Sequence, residues 1–242
     1  MAIVKNGSTY SWASGAPGAA HTTGNFTVAG GLSNSILIVR VSTRNAETTW
    51  TPPKITGVKW GGSGGVALTR IVYHYWDKQE VSLWCLIAPS AQTSTIYVTL
   101  DNTPSTGVVV LATVYQGAEQ SYTPRSTNSA HCNYGLGPLT TSLSSAVGDL
   151  VLDACTAGDD SATEPVEFVA DGGQTKDIEK HDGGSGYYTN RAFCSQKDGA
   201  ATVSMSYTWA VNNEVGLIAM ASFKPYVSAE TPINIALAVG GS

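Results

Sequence analysis

Residues 55–71 read ITGVKWGGSGGVALTRI, two strand-like runs on either side of Gly61-Gly62-Ser63-Gly64-Gly65. A phosphate-binding loop needs Gly-Lys-Ser/Thr at the start of a helix, where backbone N–H groups and the lysine meet the phosphates. Here the lysine is missing and Val66-Ala67-Leu68 runs on as a strand. A dinucleotide fingerprint fails for the same reason, because no helix follows. Glycine instead permits the positive φ of a hairpin turn. The stretch therefore predicts a corner of a β scaffold.

Outward from that corner the same pattern recurs. SILIVRVS (35–42), VALTRIVYHYW (66–76), EVSLWCLIA (80–88), STIYVTL (94–100) and GVVVLATVY (107–115) are β-branched and aromatic runs bounded by Gly, Pro, Ser or Asn. In STIYVTL, Ile96, Val98 and Leu100 share one face and Tyr97 and Thr99 the other. No segment sustains a capped 3.6-residue period. The fold class is all-β.

The runs also come twice. SILIVRVSTRN (35–45) matches GDLVLDACTAG (148–158), and 54–71 matches PVEFVADGGQTKDIEK (165–180). SLWCLIAP (82–89) matches RAFCSQKD (191–198), which sets Cys85 opposite Cys194. Residues 94–117 match 201–224. Repeat one thus spans about 34–117 and repeat two about 147–224. An open sheet of five or six strands leaves an apolar face that a second copy can cover. The expected architecture is a single jelly-roll-like β-sandwich over 1–225, made of two pseudo-symmetric repeats. Residues 118–138 read as an irregular connection, and 9–33 add an opening strand around Phe26–Val28.

Composition narrows the function classes. Charged residues are only 13% of the chain and the formal net charge is −5, with no Lys/Arg cluster. Phosphate neutralisation, and with it nucleic-acid binding, is not expected. No run approaches the roughly 18–20 apolar residues of a membrane-spanning helix, and the start MAIVKNGSTYSW lacks a signal-peptide core. Manufacture in a host cytoplasm is the expectation. Cys85, Cys132, Cys155 and Cys194 lack the close pairs of a zinc site and read as buried thiols.

Candidate chemistry is sparse. His21, His74, His131 and His181 lie far apart, and His131 and Cys132 point to opposite faces of a strand. Asp149 and Asp153 flank the LVLD strand, but their counterparts in the other repeat are Asn34 or Ser35 and Arg40. A repeat that keeps its apolar residues and not its polar ones is maintained for packing. Asp159, Asp160 and Glu164 form an acidic loop with oxygens suited to calcium, yet without the D-x-D-x-D-G spacing. No cofactor, metal or enzymatic activity is expected.

Two surfaces remain. Tyr73-His74-Tyr75-Trp76 alternates Tyr73 and Tyr75 against His74 and Trp76, and an open row of this kind stacks on sugar rings or on a partner subunit. The end of the chain, 226–242, has no counterpart in the first half. Its Ile233, Ile235, Leu237 and Val239 read as an assembly arm or an added strand.

The runs ITGVKWGGSGGVALT, VSLWCLIAP, TIYVTL and SAVGDLVLDA resemble a β-sandwich module of uncharacterised bacterial surface proteins and tailed-phage virion proteins. The resemblance covers roughly 20–225 and brings no catalytic residues. It implies a non-enzymatic structural protein, a capsid decoration or cement protein or an outer fibre component. Such a protein forms homo-oligomers and contacts a capsid or other virion protein. The alternative is a carbohydrate-binding surface module or adhesin, placed extracellularly or on a cell surface, and a sandwich hydrolase is a third reading.

Overall fold

In a computed structural model of the chain, the described residues are 2–15, 18–45, 53–102, 107–135, 138–159, 168–182, 190–209 and 214–228. Among the described residues, strands alone make up the regular structure. The first half supplies β1 (Val4–Ser14), β2 (Ala20–Thr22), β3 (Phe26–Val28), β4 (Ile36–Arg44), β5 (Ile55–Trp60) and β6 (Val66–Ala67). It continues with β7 (Thr69–Trp76), β8 (Gln79–Ile87), β9 (Gln92–Ser94), β10 (Ile96–Leu100) and β11 (Val108–Gln116). The second half supplies β12 (Ser126–Gly135), β13 (Leu139–Ser144), β14 (Leu150–Asp159) and β15 (Val169–Ala170). It closes with β16 (Thr175–His181), β17 (Asn190–Asp198), β18 (Thr202–Thr208) and β19 (Glu214–Phe223).

These strands build two large antiparallel sheets, β1-β11-β4-β8-β7 and β12-β19-β14-β17-β16. Each is backed by a smaller sheet from its own half: β2-β10-β5-β6 on the first and β13-β18-β15 on the second. In each large sheet, the half's opening long strand pairs with its closing one, which pairs in turn with a central strand. The short β3-β9 pair caps the first sandwich with Phe26 and Val28.

Three apolar layers hold the stack together. Leu37, Val39 and Val41 of β4 meet Ile55, Val58, Trp60, Ile96 and Val98 in the first sandwich. Val151, Cys155 and Phe193 meet Leu139, Phe168, Met205 and Tyr207 in the second. Between the sandwiches, Ile36, Ile38, Val81 and Leu83 pack on Leu150, Leu152, Leu217 and Ala219. Period two explains the division: odd residues of β4 enter the sandwich and even ones face the seam. A strand covered on both faces reads as a continuous apolar run, as SILIV does.

The sequence reading set one sheet from each half around a single core. Each half instead has its own two-layer sandwich, and the cross-half contact is a third layer. The reason lies in β4 and β14, whose two faces are both apolar, so one cover sheet is not enough.

Three further differences are local. Residues 118–138 are not merely a connection, because Ser126–Gly135 is an edge strand paired with β19. The opening strand at Phe26–Val28 is there, but the longer β1 precedes it and pairs with β11. Both of these strands are polar, as strands at a sheet margin often are. VALTRIVYHYW is two strands, with Leu68 donating its N–H to Val58 O at 2.9 Å as the chain leaves β6 for the large sheet.

The glycine stretch is a turn as expected. Gly61 and Gly62 hold φ of 99° and 79°, and β5 pairs with β6 across them. A side chain at Gly65 would strike the Trp60 carbonyl. Gly172-Gly173 also turns the chain, with Gly173 at φ 79°. It connects β15 to β16 in the other sheet and so forms a corner between layers, not a hairpin.

Candidate functional site

Strand β7 is the margin of the first large sheet, paired with β8 on one side only. Its register sets Tyr73 opposite Ser82 and Tyr75 opposite Glu80, while Arg70 lies opposite Trp84. Arg70, Tyr73 and Tyr75 thus share the face that carries Trp84 into the first core. Tyr73 is 43% exposed and Tyr75 51%. Their rings stand 6.1 Å apart and 14° from parallel. The Arg70 guanidinium lies 4.3 Å from the centre of the Tyr73 ring, and Lys54 Nζ lies 5.8 Å from that of Tyr75. The result is a ladder of cation, phenol, phenol, cation, held by attraction between charge and ring faces.

Glu80 anchors this ladder from below. Its carboxylate accepts the Ile55 N–H at 3.1 Å and lies 3.8 Å from Arg70 Nη1. Burial pushes the Glu80 carboxyl up to about 7, against the pull of the Ile55 N–H and of Arg70. Arg70 also donates to Ile55 O at 3.2 Å, so its position over Tyr73 is fixed by β5.

The other face of β7 turns toward the second sandwich. His74 Nδ1 is 3.0 Å from Ser129 Oγ, and His74 Nε2 is 3.1 Å from His131 Nδ1. The Trp76 ring stacks on His131 with centroids 3.9 Å apart and planes 11° apart. The alternation expected along Tyr73–Trp76 is therefore found. It separates Trp76 from the two tyrosines and gives it a partner of its own, although 43% of it stays exposed. His74 and His131, read from the sequence as far apart, are neighbours. Burial first, and then the neighbouring His131, draws the His74 imidazole below its ordinary value.

The remaining sequence candidates are placed differently. Ile233, Ile235, Leu237 and Val239 lie outside the described residues, as do Asp160, Glu164 and the side chain of Asp159. Among the described residues no group of three or more His, Cys, Asp or Glu side chains could hold a metal ion. All four cysteines are free thiols, and Cys132 alone is only half-buried, not buried as expected. Burial pushes Cys85 and Cys194 up to about 12.

Two polar constellations escaped the sequence. Asp153 accepts from Tyr207 Oη at 2.7 Å, Ser195 Oγ at 2.9 Å and Ser195 N at 2.5 Å. The carboxylate beside a serine resembles part of a catalytic set, but Asp153, Ser195 and Tyr207 are all 0% exposed. It ties β14, β17 and β18 together. Burial still raises the Asp153 carboxyl to about 6 despite these donors.

The second constellation lines a cleft of about 430 Å³ bounded by Glu119, Arg125, Val147, Asp149, Lys224 and Tyr226. Arg125 grips Asp149 through two bonds of 2.5 and 3.1 Å. Burial opposes the Asp149 charge, but Arg125, Ser222 and Ser145 hold its carboxyl below the ordinary value. Lys224 pairs with Glu119 at 3.0 Å. The charges in the cleft are paired with one another.

Compared with protein-family models, curated proteins and solved structures, the chain finds no match.

Proposed function

We propose that the chain is a non-enzymatic structural protein of a virion, a capsid decoration or cement protein or an outer fibre component, built from two copies of one module. The observation that carries the assembly reading is the concentration of exposed aromatics on one marginal strand. Tyr73, Tyr75 and Trp76 are each more than two-fifths exposed within four consecutive residues. Aromatic side chains of this kind are enriched at protein–protein contacts, where they bury large area at little rotamer entropy. The virion reading rests on the resemblance of the ITGVKWGG and GDLVLDA runs, and the duplication on those runs together with the matching strand orders.

The test is the mass of the full chain in solution by analytical ultracentrifugation, beside a chain ending at residue 225 and a Tyr73→Ala/Tyr75→Ala variant. Self-association that weakens in either variant is the expected result. A full chain that stays monomeric up to high micromolar concentration, and that leaves the melting temperature of candidate particles unchanged, overturns the reading.

The Tyr73–Tyr75 ladder favours a second reading, carbohydrate binding. Parallel phenols offer faces to sugar rings, and Arg70 and Lys54 add donors for hydroxyl or acid groups. A glycan array probed with the wild-type chain and with Tyr75→Ala separates the two readings. Binding lost on substitution supports the carbohydrate reading, and no binding above background dismisses it.

A further inference from the structure

The seam between the sandwiches has two open margins, and they are closed in different ways. At one, where β1 faces β16, Lys5 Nζ meets Asp177 Oδ1 at 2.8 Å. At the other, where β7 faces β12, two histidines meet. His74 lies opposite Val81 and His131 opposite Leu217, so both imidazoles stand in the row that faces the seam.

We propose that His74 and His131 form a two-histidine site for a divalent d-block cation, Zn²⁺, Ni²⁺ or Cu²⁺, which clamps the β7–β12 margin. Three observations support it. The facing nitrogens, His74 Nε2 and His131 Nδ1, are 3.1 Å apart. Two metal–nitrogen bonds of about 2.0–2.1 Å, at angles between square-planar and tetrahedral, set their nitrogens roughly 2.9–3.4 Å apart. A cation in place of the shared proton therefore needs the rings to turn, not the strands to move.

Next, the outer contacts of both rings are already set. Ser129 Oγ engages His74 Nδ1, and in the tautomer in which Nδ1 donates to it Nε2 keeps its lone pair toward His131. The Trp76 ring lies flat on His131 and fixes its plane. Such orienting groups are what metal-bound histidines require around them. Finally, both histidines are half-buried, so water can reach the site and complete the coordination shell. Imidazole donors select borderline metals over Mg²⁺ or Ca²⁺, which prefer oxygen.

Trp76 supplies the readout, since Cu²⁺ bound one ring away quenches its fluorescence. The experiment titrates the metal-stripped full chain at pH 7.5 with ZnCl₂, NiCl₂ and CuCl₂, with MgCl₂ as control. Calorimetry, melting temperature and tryptophan emission are followed. Expected are one cation per chain, a melting temperature raised by several degrees, and Cu²⁺ quenching that disappears in Trp76→Phe. His74→Gln and His131→Gln, each melting like wild type in EDTA, should weaken binding by roughly tenfold or more. The proposal is overturned by no saturable binding, by equal binding of Mg²⁺, or by binding that both glutamine variants retain. The pair is then an ordinary hydrogen bond. The site does not depend on the virion reading, and neither result decides the other.

Discussion

The interiors of the two sandwiches and the seam between them are both buried, yet they are built by different rules. Inside the sandwiches the large side chains are Trp60, Phe168, Phe193 and Tyr207, stacked or edge-on, with Phe168 and Phe193 centroids 4.3 Å apart. The seam has a mostly aliphatic centre, joined by Tyr115 and Phe223, and a polar remainder. Arg40, fully buried, donates to Asp153 O at 2.6 Å and to Thr113 Oγ1 at 3.1 Å. Asn190 donates to Ser42 O at 3.1 Å and Gly107 O at 3.2 Å and accepts from Thr156 Oγ1 at 2.9 Å. Apolar contact tolerates sliding, whereas these bonds are met in one alignment only. The sandwiches supply most of the stability, and the seam supplies the register between them.

Breaking the comparison on its apolar side should cost most. Phe193→Ala removes a ring packed between Phe168 and Tyr207 and should lose about 3–5 kcal/mol. Scanning calorimetry should still show one transition, because the seam couples the halves. Two transitions would mean that the sandwiches unfold independently and that the seam is weaker than its contacts suggest.

Next in size is a pH effect that separates Asp153 from the rest of the interior. Both Asp153 and Glu80 have carboxyls raised in the folded state, to about 6 and about 7. Folding then favours the protonated forms, so their contribution is fully present below the unfolded values near 4. It is lost as pH climbs through 6 and 7. For Asp153 the shift amounts to something on the order of 3 kcal/mol. Asp149, whose carboxyl is lowered, works in the opposite sense, and its contribution is lost below about pH 4. Stability measured in urea should thus decline from pH 5 to pH 7, and Asp153→Asn should flatten the decline. An unchanged slope in that variant would remove Asp153 as its source.

On the seam, Asn190→Ala strands the partners of four hydrogen bonds and should cost about 2 kcal/mol. Arg40→Met should cost less. The buried guanidinium is heavily desolvated, with the Asp177 and Asp153 carboxylates acting on it through space, and an apolar residue of similar length recovers part of that loss. If Arg40→Met proves the more damaging of the two, the guanidinium is the true keystone and the ranking within the seam is reversed. Urea denaturation of both variants at one pH decides it.

The sequence disclosed the parts of this plan that depend on alternation. Strands β4, β8, β10 and β11 carry side chains sorted strictly by face, and their runs are legible within a residue or two. The glycines at 61–65 were readable because positive φ leaves few other residues to choose. β1 and β12 were not, since VKNGSTYSWAS and STNSAHCNYG are marginal strands with polar side chains, like any loop. The tyrosine row was legible as an alternation, but its openness was not. Nor was the meeting of His74 with His131, two residues 57 apart whose contact exists only because two sheets stack. Arg40 and Asp153 pose the same difficulty: they touch across the seam for a reason no single strand contains.

The smallest effect on stability tests the open face of β7 against its closed one. Tyr73→Ala and Tyr75→Ala remove rings that are about half in water and touch mainly each other, Arg70 and Lys54. Exposed substitutions of this kind change stability by about 0.5 kcal/mol or less. Trp76→Ala uncovers the His131 ring as well and should cost somewhat more, about 1 kcal/mol. Thermal melts of the three variants rank them, and the ranking has a functional edge. Aromatics that hold the fold lose stability when truncated, whereas aromatics kept for a partner lose only binding. Should Tyr73→Ala or Tyr75→Ala melt far below Trp76→Ala, the ladder is structural, and the case for β7 as a contact surface fails with it.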